Sequence, residues 1–130
     1  MKKILVAEDE IPLSQSLKLK LENEGFGVDV AENGEQAIQM LTQNKYDFIL
    51  LDLIMPKKDG FQVLQEKEKM GVATPVAVTT NLSQNEDKEK TEKYGIANYF
   101  VKSNSSITEI INYVKAKLPR NASQDEKGTS

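Results

Sequence analysis

The sequence predicts an α/β fold, a doubly wound, five-stranded parallel sheet flanked by five helices. Segments typical of strands and of helices alternate along the chain, five of each, which favours parallel strands joined by right-handed helical crossovers. Several apolar runs are short and continuous rather than alternating, as expected for strands buried on both faces of a parallel sheet. With 130 residues, the chain is long enough for one such domain and too short for two.

The strand-like segments are short runs of apolar and β-branched residues between polar, glycine or proline residues. They are predicted at residues 4–7, 26–31, 46–51, 74–80 and 98–102. The second run alternates, with Phe26, Val28 and Val30 on one face. The third, by contrast, is continuously apolar from Phe48 to Leu51, so it is expected to lie at the centre of the sheet.

The segments between the strands have apolar residues at helical spacing. Pro12 suits the first turn of a helix in which Leu13, Leu17 and Leu21 share one face, and Gly25 can end it. Further helices are predicted at residues 33–44, 61–69, 83–94 and 106–118. The helix at 83–94 contains no aliphatic side chain, so it buries little; its i,i+4 ion pairs contribute only about 0.2 to 0.5 kcal/mol each. We therefore expect it to be the most mobile of the five helices, although a plain solvated face is the simpler explanation of its charges.

The composition excludes several classes of function. The chain has no cysteine and no histidine, which removes disulfides, thiolate chemistry, zinc hydrolysis and Ser-His catalysis. It has no long apolar stretch or signal-peptide pattern, so we expect a cytoplasmic protein that does not interact with membranes. The net charge of −3 argues against direct binding of nucleic acid.

Carboxylates stand at the ends of two predicted strands. Asp52 follows the buried third strand, and Glu8 and Asp9 follow the first. Ligands of open α/β sheets bind at the carboxyl ends of strands, so these acids are expected to lie close together. Each pair then repels by roughly 4 kcal/mol at an effective dielectric constant of about 20. A hard cation such as Mg²⁺ offsets that repulsion.

Purely structural roles explain these acids as well. An isolated Asp52 could simply cap the turn that follows its strand. The acids at positions 8–10 could form an acidic turn that is favoured by the dipole of the next helix, and Glu10 fits this role best.

The pattern resembles the receiver domain of bacterial response regulators over residues 2–118. The resemblance rests on polar groups that follow different strands in the expected order. They are Glu8-Asp9 after the first strand, Asp52 after the third, then Met55-Pro56 and Asp59-Gly60, Thr80 after the fourth and Lys102 after the fifth. Each motif alone is weak, but together they are highly specific.

The resemblance implies a CheY-like, flavodoxin-like fold with strand order 2-1-3-4-5. Asp52 would accept a phosphoryl group from a histidine kinase or a phosphotransfer protein. Mg²⁺ would be held by Asp9, Asp52 and the backbone carbonyl of Ile54, with Glu8 acting through metal-bound water. The chain would catalyse only its own phosphorylation and dephosphorylation, so it would not be an enzyme in the usual sense.

Signalling is also implied by the resemblance. Lys102 would neutralise one phosphoryl oxygen, and Thr80 would donate a hydrogen bond to another. Tyr99 stands at the position of the switch aromatic, which would change the face formed by the fourth helix, the fifth strand and the fifth helix. That face would control an output domain or a target protein, and it leaves open a homodimer that forms on phosphorylation.

The sequence departs from the family pattern at three places. Ser103 follows Lys102 where proline is usual, so the isomer of that peptide bond is open, and a cis bond would cost about 3 kcal/mol. Asn81 follows Thr80 where alanine or serine is usual. Ile54 and Leu82 stand where polar side chains in relatives orient the hydrolytic water, from which we expect slow self-dephosphorylation.

Two further interpretations concern the rest of the chain and the rival functions. Residues 119–130 are polar and are expected to be a disordered tail or the start of a linker. A flavodoxin-type carrier is disfavoured because Glu8 would repel flavin phosphate, and an aspartyl-phosphate hydrolase because Ile54 replaces its second acid. The remaining alternative is a receiver-like module that binds proteins without being phosphorylated.

Overall fold

The structure is a computed structural model, and it describes residues 1–119. Strands and helices alternate throughout this part of the chain. The strands are β1 (Lys3–Ala7), β2 (Gly27–Ala31), β3 (Phe48–Leu51), β4 (Val76–Thr80) and β5 (Asn98–Val101). The helices are α1 (Ile11–Asn23), α2 (Gly34–Gln43), α3 (Gly60–Lys69), α4 (Asn85–Glu92) and α5 (Ile107–Lys117). The predicted disordered tail lies, apart from Pro119, outside the described residues.

All five strands are parallel and form one sheet in the order β2-β1-β3-β4-β5. The predicted fold class and strand order are therefore confirmed. Ala7 pairs with Leu51, so the chain segments that leave β1 and β3 emerge side by side at one edge of the sheet. The register also pairs Thr80 with Val101, which brings the ends of β4 and β5 to the same edge.

The sheet separates two hydrophobic cores. Alternate residues of a strand face opposite sides, and in β1 Ile4 and Val6 contribute to one core while Leu5 and Ala7 contribute to the other. Helices α1 and α5 cover the first core, and α2 and α3 cover the second. The strands that carry the acidic residues are thus fixed by burial on both faces.

Helix α4 is the exception to this pattern of burial. Of its residues, all of which the structure describes, Thr91 alone is buried, and its hydroxyl group donates to the carbonyl of Lys88 at 2.6 Å. Lys90 lies over the ring of Phe61 in α3, 5.7 Å from its centroid. The predicted helix is present with little apolar contact, and its high mobility stays a prediction.

Glycine is required where α2 and α3 begin. A Cβ atom on Gly34 would collide with the carbonyl oxygen of Lys58, and one on Gly60 would lie against the carbonyl oxygen of Asp52. The loop from β3 to α3 therefore packs on the first residue of α2 near its end, and its first residues pack against the start of α3. Among residues 1–119, no helix combines the length and the apolar character needed to cross a membrane.

Candidate functional site

Two buried carboxylates define the centre of the site. Glu8 and Asp52 directly follow β1 and β3, and each is almost fully buried, with 1% and 3% of its surface exposed. The amide of Asp52 donates to the carbonyl of Ala7 at 3.0 Å, and the amide of Glu8 donates to the carbonyl of Ala31 at 3.0 Å. The sheet ladder thus continues to the acids themselves and fixes where they stand.

Lys102 follows the edge strand β5 and places its positive charge beside these acids. Its amide donates to the carbonyl of Thr80 at 2.7 Å, which ties the end of β5 to the end of β4. Its Nζ atom lies 2.8 Å from Glu8 Oε1, 2.9 Å from Glu10 Oε1 and 3.1 Å from Asp52 Oδ2. The bond between Lys102 and Ser103 is trans, which answers the question that the missing proline raised.

The charges of this cluster do not balance. Three carboxylates, those of Glu8, Glu10 and Asp52, converge within 4.8 Å of one another, whereas Lys102 supplies one positive charge. Burial raises the pKa of Glu8 to about 7, although the nearby ammonium group of Lys102 and the hydrogen bond from the amide of Glu10 act to lower it. Burial would lower the pKa of Lys102, but its contacts with Glu8 and Glu10 and the charge of Asp52 hold it above the usual value.

One atom of the cluster has spare capacity to bind a cation. Glu8 Oε1 is buried and, among residues 1–119, finds no partner with hydrogen-bond geometry, although the ammonium group of Lys102 is close. Its short distance to Lys102 is a charge interaction, and its lone pair remains able to bind a metal ion. Oxygen ligands with an excess of negative charge suit a hard divalent ion such as Mg²⁺.

The loop after β3 shapes the approach to Asp52. The amide of Ile54 donates to Asp52 Oδ1 at 3.2 Å, while the Ile54 side chain is 54% exposed at the rim of the site. The amide of Gly60 donates to the carbonyl of Leu53 at 2.9 Å. A Cβ on Gly60 would lie 2.6 Å from Leu53 Cα, so only glycine lets α3 start this close to the acid.

Thr80 and Tyr99 are connected through the backbone of one residue, Leu82. The amide of Leu82 donates to Thr80 Oγ1 at 3.3 Å, and the Tyr99 hydroxyl donates to the carbonyl of Leu82 at 2.8 Å. Burial, with the charges of Asp87 and Asp52, raises the pKa of Tyr99 to about 12. A movement of Thr80 would therefore be transmitted to Tyr99 through the backbone of Leu82.

Comparison with known proteins identifies the family. The sequence model of the response regulator receiver domain matches residues 4–115. This chain belongs to that family. The receiver is 40% identical over 123 residues to the transcriptional regulatory protein ResD of Bacillus subtilis, covering 94% of this chain and 50% of ResD. It spans about half the length of the curated relatives that it matches.

Solved structures agree with this assignment. The receiver domain of a Francisella response regulator is 34% identical and superimposes with a TM-score of 0.82, covering 89% of this chain and 95% of that domain. The response regulator TrrA of Thermotoga maritima, solved in complex with Mg(2+)-BeF, is 33% identical with a TM-score of 0.77, covering 89% of this chain and 98% of TrrA. The receiver described here thus has the family fold as well as the family sequence, and its acidic pocket is consistent with Mg²⁺ binding.

The receiver brings together most of the residues that the sequence nominated. Glu8, Asp52 and Lys102 meet directly. Asp9 is exposed at the rim and, within the described part of the chain, is not one of the three converging carboxylates. Sequence reasoning gave Glu10 only a role at the start of α1 and so missed its contact with Lys102. The one available signal was a third consecutive acid beside a strand end.

Proposed function

We propose that Asp52 is a phosphoacceptor that takes a phosphoryl group from a histidine kinase or a phosphotransfer protein. The observation that supports this most is the contact of Lys102 Nζ with Asp52 Oδ2 at 3.1 Å, at the edge of the sheet where Glu8 also ends a strand. A carboxylate can attack phosphorus only if its own charge and those of the phosphoryl oxygens are screened. Lys102 supplies part of that screening, and a divalent cation bound by the carboxylates would supply the rest.

The reaction places a distinct task on each residue. A carboxylate oxygen of Asp52 forms a new bond to phosphorus as the bond from phosphorus to the donor nitrogen breaks, and the donor imidazole keeps that electron pair. Lys102 neutralises one phosphoryl oxygen, and the Thr80 hydroxyl donates to another. Asp9, Asp52 and the backbone carbonyl of Ile54 would hold Mg²⁺, with Glu8 acting through bound water. The metal ion supplies charge neutralisation when bound.

The signal would leave the site through Thr80. When its hydroxyl turns to the phosphoryl group, the hydrogen bond from the Leu82 amide is released, and the carbonyl that holds Tyr99 is free to shift. That change would alter the face of α4, β5 and α5 by shifting a pre-existing equilibrium. The face would act on an output domain or a target protein in the cytoplasm; a homodimer that forms on phosphorylation is one such readout.

The decisive experiment is phosphorylation without a kinase. The chain is incubated with Mg²⁺ and acetyl phosphate, and its mass is measured. We expect acetyl phosphate to add one phosphoryl group, and Asp52→Ala to abolish that gain. In a parallel sample, beryllofluoride, which mimics the phosphoryl group without transferring one, should bind the wild type and not Asp52→Ala. Asp47→Asn is the matched control, because Asp47 precedes β3 at the opposite end and caps the Lys3 amide at 2.8 Å. A chain that stays inert to both reagents would favour the alternative, a receiver-like module that binds proteins without phosphorylation.

A further inference from the structure

Glu10 makes a contact that its position in the fold does not explain. It is the residue before α1, where a side chain usually caps the helix. Within residues 1–119, however, its carboxylate makes no capping hydrogen bond. It turns instead to Lys102, 92 residues away in the sequence, with Oε1 at 2.9 Å from Nζ.

Glu10 differs from the other two partners of Lys102 in its surroundings. The carboxylates of Glu8 and Asp52 are buried and belong to the proposed phosphoryl and metal site, whereas the side chain of Glu10 is 57% exposed. The ammonium group of Lys102 donates hydrogen bonds to Glu10 and Asp52, whereas its contact with Glu8 is an ion pair. When phosphoryl transfer engages Asp52 and Glu8, Glu10 is the partner that Lys102 can retain.

Hydrogen bonds fix the main chain of Glu10, whereas the side chain of Lys102 is flexible. The Glu10 amide donates to Glu8 Oε2 at 3.1 Å, and the Glu10 carbonyl accepts from the amide of Ser14 at 2.9 Å. Lys102 is fixed at its amide by Thr80, but its four-carbon stem is flexible. The direction of the ammonium group is therefore set by the carboxylates around it.

We propose that Glu10 is a positioning residue for Lys102. Its carboxylate keeps the ammonium group beside Asp52 and so speeds phosphoryl transfer, without touching the phosphoryl group. The inference rests on the proposed function for its kinetic part. The contact itself is independent of that function.

A double-mutant cycle tests the kinetic part. The rate of phosphorylation by acetyl phosphate with Mg²⁺ is measured by mass for the wild type, Glu10→Gln, Lys102→Met and the double variant. We expect Glu10→Gln to slow the reaction about threefold to tenfold, the size of a pair with one exposed partner, and to have no effect when Lys102 is already methionine. Glu35→Gln removes the same charge from the first turn of α2 and should leave the rate unchanged. Equal slowing by Glu10→Gln in both backgrounds would overturn the proposal, because a general charge effect does not need Lys102.

Chemical labelling of Lys102 tests the contact without metal or phosphate. The metal-free chain is treated with an amine-acylating reagent, and the modified lysines are counted by peptide mass spectrometry. Glu10→Gln removes the charged partner that holds the Lys102 ammonium group at 2.9 Å, so we expect several-fold faster acylation at Lys102 and unchanged acylation at Lys115. Unchanged labelling of Lys102 would refute the contact. Faster labelling in a chain that acetyl phosphate does not modify would refute the proposed function and leave the contact standing.

Discussion

Replacing Lys102 with methionine should destabilise the metal-free protein and make its stability depend on Mg²⁺. The ammonium group lies within 3.1 Å of three carboxylates, and a pair at about 3 Å is worth roughly 5 kcal/mol at an effective dielectric constant of about 20 before desolvation is subtracted. Removing one partner of a buried pair costs about 3 to 5 kcal/mol. Because Glu10 is exposed, we expect the lower end, a loss of about 3 kcal/mol.

Urea unfolding with and without Mg²⁺ measures this loss. Methionine keeps most of the length of the side chain but leaves Glu8 and Asp52 buried without a cation. Added Mg²⁺ should therefore restore most of the free energy of unfolding in the variant and raise it less in the wild type. Lys115→Met is the matched control, since its pair with Glu24 at 3.1 Å is exposed and should contribute under about 1 kcal/mol. Equal Mg²⁺ stabilisation of the wild type and Lys102→Met would refute the idea that the lysine and the metal ion neutralise the same excess of negative charge.

Three further predictions concern the loops and α4. Gly60→Ala should lower the free energy of unfolding, measured in urea, by about 2 to 3 kcal/mol, because the new Cβ meets backbone atoms after β3. Gly71→Ala is the control: its Cβ lies in open space and only the positive φ is strained, so it should lower the free energy of unfolding by about 1 kcal/mol. Thr91→Ala should cost about 1 kcal/mol and speed amide hydrogen exchange over residues 85–92 while leaving α5 unchanged. Ile54→Asn with Leu82→Glu should shorten the lifetime of the phosphorylated form, followed by loss of mass with time; an unchanged lifetime would contradict the predicted slow self-dephosphorylation.

The order and type of the elements could be predicted because the apolar runs and helical spacings are unambiguous. Strand boundaries were less accurate. The predicted third strand began at Tyr46, whereas β3 begins at Phe48, and the fourth at Thr74, whereas β4 begins at Val76. Pro75 has no amide hydrogen for the ladder, although its carbonyl accepts from Ile49 at 3.0 Å. Apolar composition marks burial, but pairing decides where a strand starts.

The site was predictable as a set of strand ends and not as a set of contacts. Parallel strands deliver Glu8, Asp52 and Lys102 to one edge, so their meeting follows from the topology. The direction of a flexible side chain does not. Glu10 could cap α1 or reach Lys102, and only the three-dimensional arrangement shows that it does the second. The burial of Thr91 was equally hidden, because its polar segment lacks any apolar period.

The loop between β3 and α3 is held at both of its ends, which bears on the proposed phosphoryl transfer. Its Lys58 carbonyl presses on Gly34, and Asp59 forms a reciprocal capping box with Gln62 at 2.9 Å in both directions. Opening this loop would break the start of α3, so we expect it to move little. If Asp52 accepts a phosphoryl group as proposed, selection of the donor would then depend on exposed side chains near the acid, such as Ile54 and Glu10.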